Sequence, residues 1–100
     1  MESKEYSWRW VTVAQVLSKG PCELVMAHLV VGAANNTATF YDGENTTGDV
    51  VVILQSAART GAQFHPVEPV YCRKGLYIAL SSNVDGVFVQ WRELEHKAGS

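Results

Sequence analysis

Few residues in this chain could do chemistry, and their spacing works against most of it. There are three histidines, two cysteines and ten carboxylates in 100 residues. His65 and Glu68 stand three apart on a stretch that reads as extended, so their side chains point to opposite faces and do not form an acid–base pair. His28 lies inside the apolar run Leu24 to Val31, where an imidazole reads as a core or interface residue. His96 reads as solvated. Asp42, Glu44, Asn45 and Asp49 bring carboxyl and amide oxygens close together, which calcium could use. Their positions do not follow the EF-hand spacing, and the alternative is a turn that hydrogen-bonds itself. Cys22 and Cys72 are too few for a metal site and read as two buried thiols, because cysteine packs as a small hydrophobe. A disulfide between them stays open, since strand neighbours can be distant in sequence. No nucleophile elbow, phosphate-binding glycine loop, zinc spacing or dinucleotide fingerprint occurs. The sequence therefore assigns no catalytic, cofactor-binding or metal-binding residue, and the expectation is a non-enzymatic protein without cofactors.

A better lead lies in the aromatic–basic pairs. Trp8-Arg9-Trp10 near the start and Trp91-Arg92 near the end put three tryptophans and two arginines on terminal strands, and Tyr41 adds an aromatic beside the central loop. Trp, Tyr and Arg are enriched at binding hot spots, because they bring large contact area at modest entropic cost. The six residues Trp8, Arg9, Trp10, Tyr41, Trp91 and Arg92 are the expected interface. The competing readings are that Trp10 and Trp91 pack in the core, or that Trp8, Trp10 or Tyr41 stack on a sugar.

These residues need elements to hold them, and the pattern predicts strands. Thr37 to Leu54 states this most openly: Thr39-Phe40-Tyr41 and the apolar run Val50 to Leu54 flank a polar interval opened by Asp42-Gly43 and closed by Gly48. That is a β-hairpin with a medium loop, taken as the centre of the domain. Trp8 to Leu17 alternates with apolar residues on both sides, as if covered twice; a short helix over 13–19 is a minor alternative. Cys22 to Val31 is a strand with Val25, Ala27, Leu29 and Val31 on one face. Gln63 to Tyr71 contains Pro66 and Pro69 and belongs at a sheet edge or is partly irregular. Leu76, Ile78 and Leu80 share a face. Asp85-Gly86 is read as part of a reversal, followed by a strand with Val87, Val89 and Trp91 inward and Gln90 and Arg92 outward. Seven to eight short strands, with turn signals every roughly 8–12 residues, predict an all-β fold, a single antiparallel β-sandwich with jelly-roll-like or immunoglobulin-like connectivity. The expected division is a flexible segment over 1–7, the sandwich over 8–95 and a tail over 96–100.

Overall balance narrows the partners. A net charge of −2 with no Lys/Arg cluster lacks the electrostatic footprint of a nucleic-acid binder. The longest apolar stretch, Leu24 to Ala34, is too short to cross a bilayer as a helix, so no membrane partner is expected. The charged start Met1-Glu2-Ser3-Lys4-Glu5 leads into no signal-type apolar segment, which points to assembly in a reducing cytoplasm.

The run Phe40-Tyr41-Asp42-Gly43-Glu44-Asn45-Thr46-Thr47-Gly48-Asp49-Val50-Val51 resembles a family of small β-sandwich proteins encoded by tailed bacteriophages and prophages. Phe64 to Val70, Lys74-Gly75-Leu76-Tyr77, Val87-Phe88-Val89-Gln90-Trp91 and Pro21-Cys22 extend the resemblance from about Gly20 to Trp91. It implies a virion structural component: a capsid decoration or cement protein, or a head–tail or tail accessory subunit. Its expected partners are the major capsid protein or other virion subunits, with self-association as a dimer or trimer. The alternative is a carbohydrate- or surface-binding module on a tail or spike. Trp8-Arg9-Trp10 lies outside the resemblance.

Overall fold

The chain is described here from a computed structural model, which covers residues 6–31, 36–57, 61–81 and 84–94. Residues 1–5 of the expected 1–7 segment, residue 95 and the expected 96–100 tail, and residues 32–35, 58–60 and 82–83, where turns are expected, lie outside the described residues.

Among the described residues nine strands form: β1 (Ser7–Val11), β2 (Gln15–Ser18), β3 (Cys22–Val31), β4 (Asn36–Asp42), β5 (Asp49–Ser56), β6 (Gly61–Phe64), β7 (Val70–Cys72), β8 (Leu76–Leu80) and β9 (Val84–Glu93). They make two antiparallel sheets packed face to face. The first has five strands in the order β1-β9-β3-β6, with β7 also on β3; the second has four in the order β2-β8-β4-β5. This is the expected all-β sandwich.

The strand count exceeds seven or eight because two predicted strands are each split. Trp8 to Leu17 becomes β1, which pairs with β9, and β2, which pairs with β8 in the other sheet. Both sides of that stretch look apolar because its two halves belong to different sheets, not because one strand is covered twice. Gln63 to Tyr71 becomes β6 and β7, laid end to end along one edge of β3. Pro66 and Pro69 fall in the gap between the two short ladders, where no N–H donor is needed.

The β4–β5 hairpin forms with Ala38 opposite Leu54 and Phe40 opposite Val52. It lies at the edge of its sheet, because among the described residues β5 pairs with β4 alone while β4 also pairs with β8. The centre of the fold is instead the β3–β9 ladder, formed by the two ten-residue strands.

Alternation holds in β9, where Val87, Val89 and Trp91 are buried. It breaks in β3, where Cys22, Leu24, Ala27 and Leu29 are the buried residues. A register shift between Leu24 and Met26 supplies the cause: a bulge adds one residue and moves the inward face from even to odd positions. Val25 is therefore not part of one continuous face with Ala27. From the second sheet, Phe40, Ile78, Leu76 and Leu54 close the core against Leu24, Leu29, Val87 and Val89. Each such side chain contributes about 1.5–3 kcal/mol when fully buried.

Two turns lock together at one end. The Asp42 carboxylate accepts hydrogen bonds from the backbone N–H groups of Lys74 (2.8 Å) and Arg73 (3.2 Å), on the turn that carries the chain from β7 to β8. Gly75 follows at φ +146°, and a Cβ there would lie 2.7 Å from the Ser18 carbonyl oxygen and 3.0 Å from that of Gly43. Only glycine fits this position without strain. The Tyr41-Asp42-Gly43 and Lys74-Gly75-Leu76 motifs are thus two halves of one brace.

Candidate interaction surface

The outer face of the first sheet follows from the register, since paired residues share a face. In β1, Ser7, Arg9 and Val11 stand opposite the inward Trp91, Val89 and Val87, which leaves Trp8 opposite Gln90 and Trp10 opposite Phe88 on the outside. Across β9, Met26 faces Gln90, His28 faces Phe88 and Val30 faces Gly86. One strand further, Gln63 continues the His28 row and Gly61 the Val30 row. The outer rows therefore read Trp8-Gln90-Met26, then Trp10-Phe88-His28-Gln63, then Gly86-Val30-Gly61.

Each indole leans one row towards the C-terminal end of β1. Trp8 stacks on Phe88, with ring centroids 6.0 Å apart and planes 28° from parallel. Trp10 lies across Gly86, where a Cβ would run into the indole atoms Cζ2 and Cε2. Gly86 is therefore a strand residue whose missing side chain seats a tryptophan. Its reading as part of a turn is corrected on that ground: β9 begins at Val84 and runs through it. Even so, Trp8 stays 65% exposed and Trp10 47%. That is a large apolar area to leave in water on adjacent rows of one face.

A charged row borders the aromatic ones. Arg92 forms an ion pair with Glu23 directly across the ladder, and its guanidinium lies 5.7 Å from the centre of the Tyr6 ring. Glu23 also stands opposite Tyr71, which is exposed.

The six expected interface residues divide three ways. Trp8, Trp10 and Arg92 come together on this outer face. Arg9 and Trp91 sit on the opposite side of the same strands. Trp91 is 3% exposed and belongs to the core. The Arg9 guanidinium lies 5.9 Å from the Trp91 ring centre and donates a 2.6 Å hydrogen bond to Gln15 Oε1, which ties β1 to β2 across the open side of the sandwich. Tyr41 lies on the outer face of the second sheet, 6.2 Å from Tyr77, in a row that runs Val16-Tyr77-Tyr41-Val50.

Sequence reasoning missed Tyr6, Phe88 and Gly86. The signal was there in part: Tyr6, Trp8 and Trp10 alternate, and Phe88 has the parity opposite to Val87 and Val89. An aromatic on a strand's outward parity marks a surface that is not simply solvated.

Two of the four side chains considered for calcium, Asp42 and Asn45, are engaged within the protein. Asn45 Oδ1 accepts from the Thr47 backbone N–H at 2.9 Å and from its hydroxyl at 2.5 Å, and Asp42 caps the neighbouring turn. Among the described residues, no group of three or more His, Cys, Asp or Glu side chains is arranged to hold a metal ion.

Comparison with protein-family models, with curated proteins and with solved structures finds no match for the chain.

Proposed function

We propose that the chain is a non-enzymatic structural protein of a bacteriophage virion, a capsid decoration or cement protein that docks on the shell through the outer face of its first sheet. The observation that carries the reading is the row of exposed aromatics Tyr6, Trp8 and Trp10, backed by Phe88 and edged by the Arg92–Glu23 pair. Rigid aromatic anchors with a charged rim are what a hot-spot surface needs: area from the rings, orientation from the rim. The surface rests on β1 and β9, and β9 belongs to the central β3–β9 ladder. Many copies on a symmetric shell would add avidity to contacts that are individually modest. The partners under this reading are the major capsid protein or other virion subunits, with self-association as a dimer or trimer, and the location is the virion.

Quantitative mass spectrometry of virions released from the host genome that encodes the chain tests this. The expected result is a stoichiometry near that of the shell subunit. Finding the chain in infected cells but not in virions overturns the proposal.

A carbohydrate-binding module is the second reading, favoured by the side-chain amides of Gln90 and Gln63 lying in the same rows as Trp8 and Trp10. A flat aromatic row with neighbouring amides suits a sugar ring. Glycan-array binding lost in Trp8→Ala would favour it over the capsid assignment.

A further inference from the structure

Cys22 opens β3 and Cys72 closes β7, and the antiparallel register sets them directly opposite one another. Both side chains face the interior and are fully buried. Direct cross-strand neighbours hold their Cβ atoms roughly 4.5–5.5 Å apart, next to the roughly 3.5–4.5 Å that a disulfide spans, so closing the bond needs little backbone movement. The interaction between the two side chains holds Cys22 below the ordinary cysteine range, and together with burial it pushes Cys72 up.

We propose that Cys22 and Cys72 form a cross-strand disulfide by exchange with a low-molecular-weight disulfide once the protein meets an oxidising medium. In the structure both are free thiols, the reduced state of this pair. The Cys22 thiolate attacks one sulfur of the small disulfide, forms a mixed disulfide and releases one small thiolate. Capping Cys22 removes the charge that kept Cys72 protonated. Cys72 then loses its proton and attacks the Cys22 sulfur, expelling the second small thiolate. The two cysteines are oxidised by two electrons, and the small disulfide is reduced to two thiols.

Access comes through β7. This strand has three residues, follows the segment holding Pro66 and Pro69, and is anchored beyond Cys72 by the two N–H bonds to Asp42. Short edge strands of this kind open locally without unfolding the rest. Once formed, the bond closes a loop of about fifty residues and ties the shortest strand of the first sheet to a central one, beneath the Glu23–Tyr71 row.

The test uses the full chain incubated with oxidised glutathione, then denatured and alkylated. The expected product is a monomer lighter by two hydrogens, with no alkylated cysteine and one peptide pair joining Cys22 to Cys72. Its Tm should rise on the order of 10 °C and fall back on reduction. Cys72→Ser should stop at the mixed disulfide on Cys22, and Asp42→Ala should speed closure by releasing the end of β7. Two fully alkylated cysteines after prolonged exposure, a link only between chains, or separate glutathione adducts on both cysteines would each overturn the proposal. A linked monomer with unchanged Tm would overturn its stabilising role.

Discussion

The brace between Asp42 and the Arg73–Gly75 turn and the aromatic rows on the first sheet are each built from a handful of residues, and they answer different needs. At the brace, polar groups are used up. The Asp42 oxygens are taken by two backbone N–H groups, and Gly75 closes against the carbonyls of Ser18 and Gly43. On the aromatic face, area is left over. Trp8 and Trp10 touch Phe88 and Gly86 yet stay 65% and 47% exposed. The contrast separates residues that serve the fold from residues that are available to something else. It also changes what the motifs mean: the Tyr41-Asp42-Gly43 and Lys74-Gly75-Leu76 runs hold two turns together, whereas the surface that suits a partner is built largely by residues outside those two runs.

Substitutions can break this contrast, and the largest effect is expected on the aromatic face. Under the proposed function, Trp8→Ala combined with Trp10→Ala should weaken attachment to the shell by about 100-fold or more, while denaturant stability falls by only about 1 kcal/mol. Titrating labelled protein onto particles that lack it, beside a urea melt, separates the two readouts. At the brace the pattern should invert. Gly75→Ala forces a side chain into a left-handed backbone and against two carbonyls, at a cost of about 2–3 kcal/mol in the urea melt, with the folded fraction still binding. Asp42→Ala orphans the Arg73 and Lys74 N–H groups and should cost about 1–3 kcal/mol, with Asp42→Asn recovering part of it.

Smaller effects sharpen the comparison. Gly86→Ala displaces the Trp10 indole from its seat. Because that indole can swing into solvent, the cost should stay under about 1 kcal/mol, while tryptophan emission shifts to the red and attachment weakens. Arg92→Ala breaks a partly exposed pair with Glu23, and its effect on stability should be smaller still, about 0–1 kcal/mol and reduced further by salt.

Much of this fold was legible before any coordinates. The limits of β3 and the existence of the β4–β5 hairpin follow from apolar runs ended by glycine, asparagine and aspartate, a local signal. The prolines at 66 and 69 announced an interrupted edge for the same reason. The bulge in β3 was not legible, because Val25 and Met26 are both apolar and either parity looks acceptable. Nor could the position of the hairpin within its sheet be read, since that depends on β8 pairing with β4 from a distant part of the chain. The candidate surface was half legible. Trp8, Trp10 and Arg92 were picked out by residue type; type also put Trp91 beside them, while its alternation with Val87 and Val89 read it as inward, and the burial of Trp91 shows that parity decides. Gly86 looked like a turn because its role is set by Trp10, on the neighbouring strand but far away in sequence.

Hydroxyl-radical footprinting of the chain, free and on its particle, tests the central claim most directly, because tryptophan and tyrosine report their own exposure. Protection should fall on Trp8, Trp10 and Tyr6, with Tyr41 and Tyr77 on the other sheet labelled equally in both states. Protection of Tyr41 and Tyr77 with Trp8 and Trp10 unchanged would contradict the account and move the contact to the opposite face.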